Sequence, residues 1–159
     1  MPTSDDLRVN GNLIGWGSHI LRIDGERWYG VTSVGWEQSR ERTFGWGMNR
    51  AHAPISRTPG KYVPGALKMT LYKHTASALR ESLATLADDG TSYGNVSVPI
   101  FLQYAEGDNT TTVEFDDACV TKESGDDEEN PDPTKETWEW SVTRILNDGL
   151  TLFDASEGD

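Results

Sequence analysis

Three histidines, one cysteine and a run of acids are the side chains of this 159-residue sequence with the types to do chemistry. His19, His52 and His74 could act as general bases or metal ligands. They fall in a strand, a loop and a strand–helix junction, and none sits in a nucleophile or zinc motif. Cys119 lies in an alternating strand and no Lys, Arg or His is identified as its partner, so it reads as a small core or semi-buried residue. Asp126, Asp127, Glu128, Glu129 and Asp132 lack the alternating ligands and the sharp-turn glycine of a calcium loop. A solvated charge run is the expectation. The glycine-rich pieces GWG at 15–17 and GWGMNR at 45–50 do not join a strand to a helix in the manner of a phosphate cradle. The expectation is a protein without a catalytic site, metal or cofactor.

Six tryptophans remain. Exposed, they would make a stacking platform for sugars, and a carbohydrate-binding β-sandwich is the alternative from another class. Trp138 and Trp140, two apart on one strand, share a face, which favours core or subunit contact.

The elements that would position these residues are mostly strands. His19–Asp24 and Glu26–Glu37 are apolar and β-branched, separated by a turn at Gly25. Residues 40–46 continue that strand or begin another. Residues 47–65 read as a long loop with three prolines and the basic residues Arg50, Arg57 and Lys61. Such loops are uncommon unless they do something. Residues 66–72 alternate with a period of two. Leu79, Leu83 and Leu86 recur at helical spacing, predicting one helix over 75–88, with Thr75 or Ser77 as cap and Gly90 as stop. Residues 95–104 form a strand in which Pro99 marks an edge or bulge. Along 110–123 the apolar parity changes between Phe115 and Ala118, which predicts a bulge near Asp116 and Asp117. An acidic loop spans 124–134, and Trp138, Trp140 and Val142 face one way along the strand from Lys135. Residues 1–18 and 150–159 read as terminal arms flanking one domain over 19–149. The fold class is mainly β: a small barrel or sandwich of two antiparallel sheets with one flanking helix.

Charge bounds the partners. A formal net charge of −12 repels phosphate polyanions, so charge-driven binding to DNA or an anionic membrane is not expected. Residues 1–13 lack the basic and apolar regions of a signal peptide, and no apolar run approaches a spanning helix. A single cysteine fits a reducing compartment.

The segment RTPGKYVPGALKMTLYKHTASALRESLATL, residues 57–86, resembles bacteriophage tail-tube proteins. The strands VSVPIFLQYAEG (96–107), TTTVEFDDACVTKES (110–124) and KETWEWSVTRILNDG (135–149) follow in the family's order. That family is related in fold to the type VI secretion tube protein. The resemblance implies rings of six copies whose inner sheets merge into one barrel. The rings stack into a virion tail tube, assembled in the host cytoplasm, through which DNA passes without specific binding. Sheath, tape-measure, baseplate and tail terminator proteins are the implied partners. Met48, Arg50, Arg57, Lys61 and Tyr62 are then the expected contacts between rings. Thr112, Glu114, Asp116, Glu139, Ser141 and Thr143 are the expected lining of the lumen. The acidic insert at 125–134 has no counterpart in the pattern. A tube of a secretion system or phage-derived particle shares the fold and is the other reading.

Overall fold

The computed structural model describes residues 8–9, 12–13, 19–48, 52–106, 109–129 and 131–152. The first strands are β1 (Arg8–Val9), β2 (Asn12–Leu13), β3 (His19–Ile23), β4 (Glu26–Trp28), β5 (Val31–Gly35), β6 (Gln38–Glu41) and β7 (Phe44–Gly45). Then come β8 (Ser56–Arg57), β9 (Lys61–Pro64), β10 (Leu67–Tyr72) and helix α1 (Lys73–Leu86). A 3-10 turn over Tyr93–Asn95 leads to β11 (Val98–Glu106), β12 (Asn109–Gly125), β13 (Lys135–Ser141), β14 (Arg144–Asn147) and β15 (Leu150–Thr151).

Nine strands make one antiparallel sheet in the order β4-β3-β11-β12-β13-β10-β5, with β14 beside β12 and β15 beside β14. The sheet has two halves because β12 serves both. Its first part pairs with β11 and β14, and its last part pairs with β13. The six-stranded half is β4-β3-β11-β12-β14-β15, and the four-stranded half is β12-β13-β10-β5. Between them lies the core, whose largest members are Trp138, Trp140 and Phe115 with Leu67, Met69 and Leu71. Each buried indole removes on the order of 200 Å² from water, a gross gain of about 5 kcal/mol.

The parity change in β12 is a bulge. Ile100 pairs with Phe115 but Val98 pairs with Ala118, so one extra residue sits on β12, and Asp117 takes a φ of 52°. Pro99, which has no N–H to give, lies opposite it. The bulge keeps Val113 and Phe115 and then Ala118 on the core side while the strand bends from one half to the other.

The ladder does not close into the expected barrel. Its end strands β4 and β5 are chain neighbours across Tyr29 and Gly30, not hydrogen-bonded partners. A bent strand makes this corner. Gly30 has a φ of 83°, and a Cβ there would collide with the Thr75 hydroxyl, so only glycine fits. Two-residue Asp-Gly turns with positive φ join β3 to β4 and β14 to β15, the twist-matched hairpin turn.

Helix α1 begins two residues earlier than its spacing predicts. No side chain caps it. Instead Lys73 N–H donates to the Thr134 carbonyl, and the Thr75 hydroxyl is spent on the Tyr29 carbonyl. Ala76, Leu79 and Leu83 are buried, but Leu86 is half exposed. Gly90 lies in the turn after the helix, with a φ of 74°.

The largest departure is at 47–65. Much of it is not loop. β9 pairs with β6 and β8 pairs with β7, so residues 38–64 form one long hairpin continuous with β5 and β10. Residues 49–51 at its tip lie outside the described residues. A Cβ on Gly60, at φ 85°, would strike the Glu41 carbonyl, which is how Pro59 and Gly60 fit an extra residue into one strand. Of the terminal arms, β1 and β2 pair with each other. The remainder of 1–18 and residues 153–159 lie outside the described residues.

Candidate self-assembly surfaces

The long hairpin, or arm, is the first surface. It projects from the four-stranded half where Gly65 N–H donates to the Glu37 carbonyl. Toward its tip Phe44, Trp46, Ile55 and Met48 are exposed to between 52% and 92%. Four large apolar side chains in solvent on one hairpin are a patch that calls for a partner. Phe44 lies directly opposite Arg57, and Lys61 opposite Glu41.

The expected ring contacts divide along this arm. Met48, Arg57 and Lys61 are exposed on it. Arg50 lies outside the described residues. Tyr62 sits at the root, half buried, donating to Gln38 Oε1 at 2.9 Å. Burial pushes its phenol above the usual tyrosine value, against the opposing pull of the Ile145 backbone and Arg144. Tyr62 therefore fastens the arm to β14. Phe44, Trp46 and Ile55 were not singled out from sequence. The signal was there in the alternation of Phe44 and Trp46 about Gly45.

The second surface is the outer face of the four-stranded half. Register places Lys68, Glu139 and Lys122 side by side across β10, β13 and β12. Lys68 Nζ lies 3.5 Å from Glu139. Thr137 and Ser124 pair below them, and Ser141 and Cys119 above. Lys135 lies over the Tyr72 ring at 5.7 Å. Cys119 Sγ is 3.0 Å from the Ser97 hydroxyl.

The third surface is the outer face of the six-stranded half. Glu114 here lies between Phe101 and Leu146 on its neighbours, and Asp116 opposite Arg144. Arg144 holds Asp116 through Nε at 3.0 Å and Nη2 at 2.9 Å. Burial raises the Glu114 carboxyl above its ordinary value, and Asp116 pushes it the same way.

The six expected lining residues thus do not share one wall. Thr112, Glu114 and Asp116 belong to the six-stranded half, and Glu139 to the four-stranded half. Ser141 and Thr143 sit at the corner between β13 and β14, where the Thr143 hydroxyl donates to the Asp116 carbonyl at 3.3 Å. The two outer faces point away from a common core, so at most one of these sets can line a bore.

The end of the four-stranded half opposite the arm carries the acidic loop. Lys73 Nζ reaches Asp127 at 3.0 Å. Arg80 of α1 clamps the strands flanking the loop, bonding Glu136 of β13 and, at 3.4 Å, Glu123 of β12. Its guanidinium lies 5.3 Å from the Trp138 ring centre. Tyr93 donates to Glu123 at 2.9 Å and stacks on Trp138. Burial alone would lower the Arg80 pKa, but Glu136 and Glu123 raise it well above the usual arginine value.

The residues considered for chemistry are scattered. His19 packs edge-on to Tyr104 at 4.3 Å, while His52 and His74 are exposed far from it in the chain. Of the tryptophans, Trp138 and Trp140 are core, Trp28 and Trp36 pack against it, and Trp46 is exposed on the arm. The described tryptophans make no stacking platform.

An antiparallel sheet in two halves, one capping helix and one protruding hairpin define the class. No family model matches the sequence, and no curated protein does. Solved structures match over nearly the whole chain. One is a chain of the anti-feeding prophage tube-terminating cap, with TM-score 0.65 and 11% identity, covering 95% of this chain and 99% of that one. A chain of the PVC extracellular contractile injection system sheath–tube complex has TM-score 0.63 and 12% identity, covering 92% and 98%. Hcp1 from Flavobacterium johnsoniae has TM-score 0.55 and 16% identity, covering 86% and 98%. The chain has the fold of these proteins.

Proposed function

We propose that this chain is the repeating unit of a hollow tube, closing into rings that stack, and that it is not an enzyme. The observation that carries this is the arm: a two-stranded extension whose apolar side chains Phe44, Trp46, Met48 and Ile55 stand exposed among the described residues. The free edge of β5 adds to it, since an open edge is a template for another chain. Six copies per ring follow from the resemblance to tail-tube proteins.

The four-stranded outer face is the better bore wall. Its side chains are hydroxyls and lysines with one glutamate and the thiol of Cys119, a mostly polar set compatible with permanent wetting. The six-stranded outer face sets Ile20, Phe101 and Leu146 among its charges, half buried, and suits contact with an outer partner such as a sheath.

This placement bears on cargo. In a phage tail the tube passes DNA. Three lysines against one glutamate per copy would draw a duplex to the wall by counterion release. On this placement, a wall that attracts DNA speaks for the tube of a secretion system or phage-derived particle over a DNA conduit. Negative-stain microscopy of the purified protein tests the main reading: rings and tubes are expected. Strictly single-copy material at high concentration overturns it. Nucleic acid extracted from native particles would favour the phage tail.

A further inference from the structure

The arm and the acidic loop lie at opposite ends of the same four strands. In β10 the arm joins beside Leu67, and Tyr72, about 17 Å further along, pairs with Lys135 at the foot of the loop. Their charges are opposite. The hairpin 38–64 carries Arg40, Arg42, Arg50, Arg57 and Lys61 against a single acid, Glu41. The loop carries Asp126, Asp127, Glu128, Glu129 and Asp132 with no base between them. Within one chain the length of the sheet separates the two segments.

We propose that the acidic loop of one copy is the seat for the arm of a second copy in the next ring, a head-to-tail ionic clasp between rings. This rests on the repeating-unit reading above and names the receiving surface. The polarity makes the contact heterologous, so each added ring presents a new arm and a new seat and stacking continues. Tyr29, 69% exposed, stands at the seat end near the start of α1, where its carbonyl holds Thr75. It offers a ring for the apolar tip. The Arg80 clamp and the Lys73–Asp127 pair hold the seat in shape. A contact of exposed ions steers encounter and register more than it adds affinity. It also weakens as salt shortens the Debye length.

A charge swap tests this. D126K/E128K/E129K changes only exposed seat residues and spares Asp127, which Lys73 holds. This variant should keep its melting temperature and form rings, with tube length in micrographs cut about tenfold. Adding R57E/K61E to it should restore wild-type tubes. Wild-type tubes should shorten as sodium chloride rises from about 0.05 to 0.5 M. If the seat variant builds tubes of full length, or the swap restores nothing, the clasp is wrong while the repeating-unit reading stands. If wild-type protein makes neither rings nor tubes, both fall.

Discussion

Gly30 concentrates the demands of the corner in one residue. Its positive φ and the Thr75 hydroxyl beside it exclude any Cβ. Gly30→Ala should lower unfolding free energy by about 2 kcal/mol, measured by urea denaturation. Glu114 gives a pH signature. Its folded pKa is raised, so protonation favours the folded state. The cost is absent below the ordinary carboxylate range and grows as pH rises through that range to the shifted value. Glu114→Gln should therefore be more stable than the parent at pH 7, and the two should converge near about pH 3. Arg80→Ala strands two carboxylates against the core and should cost about 2 kcal/mol or more. Parity made part of this legible. The alternation through Trp138, Trp140 and Val142 and the slip at Asp116–Asp117 both stand in the sequence and in the sheet. The Arg80 clamp did not, because its partners lie 43 and 56 residues away and no local pattern links them.

At the scale of elements, the sequence reads residues 47–65 as a loop for a physical reason. The pairing of the arm joins residues 38–45 to 56–64 across prolines and glycines that look like breakers one at a time. Pro64 tolerates its place by pairing at the margin with Gln38, where a missing N–H matters little. The lysine and arginines of the arm are legible as charge, whereas Phe44 and Trp46 fall in a stretch, 40–46, whose pattern says only that one strand continues or another begins. Phe44→Ser with Trp46→Ser removes apolar surface already in water. Stability should change by less than about 0.5 kcal/mol, while tubes disappear from micrographs. Rings surviving in that variant would assign the arm to stacking alone. Helix α1 was legible by its leucines, though not its first turn, where the backbone of Thr134 does the work of a cap.

For the whole molecule, net charge proved a poor guide to any one surface. The total is −12, yet the outer face of the four-stranded half carries Lys68, Lys122 and Lys135. Asp126, Asp127, Glu128 and Glu129 stand at one end, and Glu114 and Asp116 on the opposite face. The six expected lining residues all stand off the core but divide between two outer faces, because parity reports in or out but not which layer. Only the bend in β12 resolves that.

The same bend has a mechanical side. A single covalent backbone runs from Asn109 to Gly125 through both layers, so a pull on one wall is borne along the chain by the other. The layers cannot slip past each other without tearing the rungs on either side of Asp117. Stretched end to end in a force spectrometer, the domain should give way in one abrupt event. A tube built from such staves would resist collapse of its bore under axial load.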